Sequence, residues 1–382
     1  MPADAVMYNK RTPLIKVRFK GENIVAVTDV FNSLLLPISL QTQDGPPDLQ
    51  KLNEWLEKRR IPDNRDGLRH TMANFPNFKL FTGNLFSLSD QYWFQYDPSE
   101  KWDDLNFFTN RYGDESGRVF FTPWLMESSQ VFPPSPDYTT NGALKKTWKQ
   151  QEDLSSHLIK AGSRKLHQEP ITEVLASSML KKMNLLPYVT YTLTIEGMTM
   201  CSECRNFVDK DTEFVPAAHI YFREKRKEPV SIYHHLLRMC DKFEIEGAQE
   251  YIDSMITADH ILGNDDRHLG NFGFLRDAST GKILGFAPLF DSGSAYGGKT
   301  NHVNRLKLFD QQKEGAVKRN IRRLQEENFF DHEELFELID IYPDINRKQR
   351  DFIKNHILKT EHEVKKRLMR TVTLTRPAGP DR

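Results

Sequence analysis

The most constraining stretch of this 382-residue chain is a polar one. His260-Ile-Leu-Gly-Asn-Asp-Asp266-Arg-His-Leu-Gly-Asn271-Phe-Gly-Phe follows a segment in which Ile252, Met255 and Ile256 recur at helical spacing. A helix is therefore expected to end here and a polar loop to begin. Within the loop Asp266 and Asn271 stand at the spacing D-x-x-x-x-N. Phosphoryl transfer from ATP needs a carboxylate near the acceptor hydroxyl and an amide oxygen a few residues on to help hold magnesium. Magnesium takes one or two protein carboxylates, with phosphate oxygens and water completing its shell, so a second acid is expected nearby.

That acid is Asp291, where the apolar run Phe286-Ala-Pro-Leu-Phe leads straight into a segment rich in glycine. Asp277 to Gly281 reads as a hairpin turn between Phe272 to Leu275 and Ile283 to Phe286, which brings Asn271 and Asp291 together. Upstream, Ser155 to Lys160 reads as a strand ending in a lysine. Glu169 to Met183 reads as a helix, with Pro170 in its first turn and Ile171, Val174, Leu175, Met179 and Met183 along one face. Pro187 to Ile195 alternates strictly and predicts a strand. Strand with lysine, helix with an acid at Glu173, then strand is the order a nucleotide-binding small lobe requires. Beyond His219 the pattern is helical, through Ile232 to Met239, Gln249 to Leu262 and Asn346 to Met369.

These elements predict an α+β, protein-kinase-like fold of two lobes, a small β-rich one with a single helix and a large, mostly helical one, preceded by an N-terminal accessory region. The expected divisions are 1–132 for the accessory region, 133–217 for the small lobe, 218–375 for the large lobe and 376–382 for a disordered tail. Pro133, Pro134 and Pro136 mark the first connection, because proline cannot donate ladder hydrogen bonds and disfavours helix before it. In the accessory region Ile24 to Val27 reads as a strand and Leu52, Trp55 and Leu56 as a helical face. Its aromatics, at Phe86 to Tyr96 and Trp102 to Phe108, read as packed core rather than as a base-stacking surface. Asp137 to Gly142 is a turn-rich segment able to set backbone N–H groups around an anion.

Taken singly, Asp266 with Arg267 reads as a helix-terminal ion pair and Asn271 as a turn former. Taken in order with Lys160, Glu173 and Asp291, the residues resemble those of HipA-like serine/threonine kinases, the toxin kinases of bacterial toxin-antitoxin modules, over about residues 136–296. The run from Gly263 to Asn271 is similar to that family's catalytic loop and Ala287 to Asp291 to its metal-binding segment. His157 to Lys160 is similar to the lysine strand and Gln168 to Ala176 to the helix whose acid faces it. The resemblance implies ATP and magnesium as cofactors, with Lys160 on the ATP phosphates, Glu173 orienting Lys160, Asp266 accepting the substrate proton, and Asn271 with Asp291 on magnesium. It also implies that Thr139 to Gly142, with Asn141 and Gly142, covers the phosphates, and that Phe207 lies near adenine. A protein substrate with a Ser/Thr acceptor is expected, together with autophosphorylation at Thr139 or Thr140 and an antitoxin-like partner. The family's amino-terminal barrel segment is not seen before Pro133. A lipid or small-molecule kinase, or a silent nucleotide-binding module, would share these features.

Composition closes off other classes. Lys plus Arg and Asp plus Glu each total 53, so no field of one sign draws in nucleic acid or an anionic membrane, and direct nucleic-acid binding is not expected. The basic runs Arg223 to Lys227 and Lys318 to Arg323 read as solvated faces. Three cysteines fit a reducing compartment, and Met1 to Arg11 lacks the apolar core of a signal peptide, so a cytoplasmic location is expected. The apolar run Ser33 to Leu40 falls short of the roughly twenty residues that span a bilayer, so no membrane contact is expected. Cys201 and Cys204, with His219, His234 and His235, offer one paired ligand unit where structural zinc uses two. His268 is expected to brace the loop by hydrogen bonding.

Overall fold

A computed structural model describes residues 3–42, 45–79, 83–165, 167–296, 308–320, 323–325 and 332–374. The expected tail at 376–382 lies outside the described residues.

The chain opens with strands β1 (Ala3–Asn9), β2 (Thr12–Lys20) and β3 (Asn23–Val30), joined later by β4 (Tyr92–Gln95). They form an antiparallel sheet in the order β3-β2-β1-β4. Helix α1 (Leu49–Glu57), capped by the Asp48 side chain on the Lys51 N–H, lays Leu52 and Leu56 against Met7, Val17, Phe19 and Phe94. Helix α2 (Leu68–Asn74) and the single turns α3 (Trp102–Leu105) and α4 (Glu115–Arg118) follow.

A second antiparallel sheet, ordered β5-β6-β8-β7, is built from β5 (Lys146–Gln150), β6 (Ser156–Ala161), β7 (Tyr191–Glu196) and β8 (Thr199–Arg205). Helix α5 (Glu169–Met183) carries Pro170 in its first turn, as its sequence dictates, and stops where Asn184 turns left-handed at φ 46°. The strand expected from Pro187 begins only at Tyr191. The alternating pattern runs on through Pro187 to Val189, but these residues pair elsewhere: the Val189 N–H donates to the Leu289 carbonyl at 2.9 Å, and the Leu289 N–H to the Pro187 carbonyl at 2.8 Å.

The third sheet, β11-β10-β9, joins β9 (Thr212–Pro216), β10 (Gly273–Asp277) and β11 (Ile283–Phe286). Thus β9, placed by sequence within 133–217, pairs with a strand beyond residue 218. Gly273 is required by close approach, since a Cβ there would lie 2.1 Å from the Val215 carbonyl oxygen. Helices α6 (Ala217–Tyr221), α7 (Ile232–Lys242), α8 (Ala248–Leu262), α9 (Lys313–Asn320), α10 (Glu333–Ile341) and α11 (Arg347–Leu374) make up the rest, and the largest core lies among α5, α7 and α8. Among the described residues no helix is long and apolar enough to cross a membrane.

Packing is continuous across the proline segment. Phe78, Val119 and Phe120 share a core with Tyr138, Ile159, Ala161 and Cys201, while Phe86, Trp93, Trp102 and Phe107 enclose Trp148. Most of the aromatic density at 86–96 and 102–108 is therefore core, with Tyr96 exposed, and part of it backs the β5–β8 sheet. A buried polar junction ties the first sheet to the third. Arg276, 1% exposed, donates to Glu213 at 2.7 Å, to the Tyr92 hydroxyl at 2.9 Å and to the carbonyls of Leu34 and Leu36 at 2.8 and 3.1 Å.

Candidate active site

Strand β6 carries Lys160 and α5 carries Glu173 one turn in. The side chains meet: Lys160 Nζ lies 3.0 Å from Glu173 Oε1 and 2.6 Å from Asp291 Oδ1. Glu173 is fully buried, and its second oxygen accepts the Ser292 N–H at 3.0 Å, so the helix acid grips the lysine and the Asp291 segment together. Burial works to lower the Lys160 pKa, but the two carboxylates overcome it and hold the ammonium charged. Lys160 in turn holds Asp291 well below the usual carboxylate range, whereas burial pushes Glu173 up. Asp291 is left-handed at φ 57°, a conformation costly for a residue with a Cβ, and its N–H donates to the Tyr191 hydroxyl at 3.3 Å.

Helix α8 ends as the sequence predicts, with Gly263 left-handed at φ 64°. Arg267, buried, then organises the loop. Its Nε and Nη2 pair with the two oxygens of Asp259 at 2.9 and 3.0 Å, so its ion-pair partner lies on α8. Its Nη1 donates to the Asn271 carbonyl at 2.8 Å and to the Phe290 carbonyl at 2.7 Å, and Nη2 reaches Ser292 Oγ at 3.3 Å. One guanidinium nitrogen thus brings the backbones of Asn271 and of the residue before Asp291 together. Asn271 Nδ2 donates to the Asp266 carbonyl at 3.2 Å, a bond made by the amide nitrogen and not by Oδ1. His268 Nδ1 accepts the Gly270 N–H at 3.0 Å and braces the loop.

Among the described residues no group of three or more His, Cys, Asp or Glu side chains is disposed to hold a metal. The expected magnesium ligands are instead one carboxylate, Asp291, and one amide oxygen, that of Asn271. That hard-oxygen set fits a magnesium ion completed by phosphate oxygens and water. Burial pushes the Cys201 and Cys204 thiols up to about 12, where they stay protonated.

The 139–142 segment lies beside Lys160. Lys146 on β5 stands directly opposite Lys160 on β6, and its Nζ donates to the Asn141 carbonyl at 2.5 Å. Burial, then the like charges of Arg65 and Lys160, lower the Lys146 pKa well below the usual lysine value. Gly142 is left-handed at φ 101°, and a Cβ there would lie 2.4 Å from Lys146 Nζ. Sequence reasoning missed Lys146, because only the strand register aligns it with Lys160; it read Arg267 only as an ion pair with Asp266 and missed its wider role, because its partners lie on α8 and two separate loops. The Thr139 hydroxyl donates to the Phe86 carbonyl at 3.0 Å and that of Thr140 to the Pro136 carbonyl at 2.7 Å, so both are held inward. The ring of Phe207 packs against Phe214 and Phe290, with centroids 5.7 and 5.4 Å away, next to Asp291.

Asp137, beneath this segment, is 1% exposed and accepts the Trp148 N–H at 2.9 Å and the Ser135 hydroxyl at 2.9 Å. Burial raises its pKa from 3.8 to about 7. The folded chain therefore keeps a proton that the unfolded chain releases at 3.8, so this group's contribution is full below that pH and is lost as pH rises toward 7. Asp137→Asn is expected to remove that slope, and thermal melting of both proteins between these pH values checks it.

The α+β framework with these sheets and helices resembles that of HipA-like kinases. A chain from the Shewanella oneidensis MR-1 toxin–antitoxin complex of HipA, HipB and operator DNA superposes with a TM-score of 0.57 at 12% identity, over 95% of this chain and 97% of that one. Helicobacter pylori proinflammatory kinase CtkA superposes with a TM-score of 0.50 at 16% identity, covering 63% of this chain and 96% of its own. In sequence, 40 residues are 60% identical to the serine/threonine-protein kinase CtkA of Helicobacter pylori, a match spanning 10% of this chain and 12% of that protein. No family model matches the chain.

Proposed function

We propose that this chain is a HipA-like, ATP- and magnesium-dependent kinase that transfers the γ-phosphate to a Ser or Thr hydroxyl of a protein. The observation that carries the reading is the meeting of Lys160 with Glu173 and Asp291, 13 and 131 residues away in sequence. A lysine so held, beside a second lysine and a loop whose N–H groups at 141–143 meet no acceptor among the described residues, is arranged to receive a polyphosphate. In this reading residues 133–217 form the small lobe and 218–375 the large one, with the nucleotide between them. Lys160 and Lys146 take the phosphates, Glu173 fixes Lys160, Asn141 and Gly142 cover the phosphates, and Phe207 lies against the adenine. Asn271 and Asp291 hold magnesium, which when bound offsets the phosphate charge. Asp266 accepts the proton of the acceptor hydroxyl. Autophosphorylation at Thr139 or Thr140 requires the loop to leave the Phe86 and Pro136 carbonyls. An antitoxin-like partner, as HipB is in the HipA complex, and a cytoplasmic setting complete the proposal.

Radiolabelled ATP with magnesium, incubated with the wild type in the presence and absence of a cell lysate, is expected to label protein bands. Nucleotide binding without any label would reduce the chain to a silent module. Asp291→Ala is expected to weaken magnesium-dependent nucleotide affinity more than Asp266→Ala, because only the former removes a metal ligand. Titration calorimetry that ranks the two variants the other way would sink the assignment.

A further inference from the structure

The loop assigned to the phosphates is held from outside the β5–β8 sheet. Arg65 lies between α1 and α2, in the N-terminal region, and is only 3% exposed. Its Nε donates to the Gly142 carbonyl at 2.7 Å and its Nη2 to the Thr140 carbonyl at 2.5 Å. The next residue extends the contact: the Asp66 N–H donates to the Ala143 carbonyl at 2.7 Å, and the Asp66 carboxylate pairs with Arg164 at 2.6 Å, just past β6.

A buried guanidinium ordinarily faces a carboxylate, since uncompensated burial of charge is costly. Arg65 forms no ion pair within 4 Å among the described residues and directs its donors at two main-chain oxygens instead. The geometry of the peptide unit gives this a consequence. In a planar trans peptide the carbonyl of one residue and the N–H of the next point in opposite directions. Carbonyls 140 and 142 turned toward Arg65 therefore turn the N–H groups of Asn141 and Ala143 away from it. Among the described residues no acceptor meets the N–H of Asn141, Gly142 or Ala143. Lys146, on the Asn141 carbonyl, fixes the intervening peptide.

We propose that Arg65 is a positioning residue: from the N-terminal region it sets the peptide planes of 140–143 so that the N–H groups of Asn141 and Ala143 present an anion cradle for the nucleotide phosphates. The ligand in this proposal rests on the kinase reading, whereas the restraint on the loop does not.

The test uses the full chain with Arg65→Met, which keeps the apolar stem and removes the donors, and Arg65→Lys. Hydrogen exchange of the 137–147 stretch is measured without nucleotide, and magnesium-ATP Kd is measured beside kcat at saturating ATP. Loss of a charge-assisted hydrogen bond predicts exchange and Kd each rising by about tenfold in Arg65→Met, with kcat at saturation little changed and partial recovery in Arg65→Lys. A folded Arg65→Met with wild-type exchange and wild-type Kd overturns the proposal. A loss of kcat in step with the folded fraction, at unchanged Kd, also overturns it, since that marks a merely structural role. If Arg65→Met does not fold, Arg65→Lys decides on the same two readings, with unchanged values again overturning the claim. Should the wild type bind no nucleotide, the kinase reading falls, and exchange of the loop alone decides whether Arg65 restrains it.

Discussion

Asp266→Asn is expected to cut phosphate transfer by roughly 10²- to 10⁴-fold, the usual worth of a positioned general base, while leaving nucleotide affinity close to that of the wild type. The substitution keeps the shape of the side chain and changes only its ability to take a proton. The surrounding loop has anchors besides that carboxylate. The Asp266 carbonyl, not its side chain, receives Asn271 Nδ2, and Arg267 anchors the loop through Asp259 and the carbonyls of Asn271 and Phe290. Initial rates of label transfer, with calorimetric binding of the nucleotide beside them, check the expectation. A variant within a few-fold of wild-type rate would show that the proton goes elsewhere.

The second large effect concerns stability. Arg276→Met is expected to lower unfolding free energy by ~3–5 kcal/mol, because removing one member of a buried pair strands the other without compensation. Arg276 and Glu213 are each 1% exposed, and the guanidinium also satisfies the Leu34, Leu36 and Gly281 carbonyls. Those orphaned acceptors add to the cost. The double variant Arg276→Met with Glu213→Leu is expected to recover part of the loss, since no charge is then left buried. Urea unfolding of the three proteins measures both steps. Equal midpoints for the wild type and Arg276→Met would mean that water reaches the junction.

The site was legible where one residue type has one plausible job in a given place. Pro170 and the apolar face from Ile171 to Met183 specify α5 locally, and the helix has the expected limits. Asn271 and Asp291 were read as neighbours from a hairpin turn, which the pairing of β10 with β11 supplies. The unread part depends on register and on distant partners. Nothing in Lys146-Thr-Trp-Lys-Gln150 marks its first lysine until β5 is aligned with β6. Arg267 resembles any arginine beside an aspartate until Asp259, eight residues earlier in sequence, is seen to take the charge. The first two strands escaped notice for a related reason. In β1 the buried positions are Ala5, Met7 and the polar Asn9, whose amide lies 3.5 Å from Glu213, so the inward face is marked by a small residue and a polar one rather than by a run of large apolar side chains. Pro187 to Val189 shows the opposite error, a strand-like pattern that serves a different neighbour.

The shared packing of Phe78, Val119 and Phe120 with Tyr138, Ile159 and Ala161 bears on how this protein can be cut or recombined. A fragment starting at Pro133 would keep every residue named for chemistry, yet the strand bearing Lys160 would lose the apolar cover behind it. Solubility and activity should therefore be inherited together with the first 132 residues, and a chimera that grafts only the later part onto another amino terminus should aggregate.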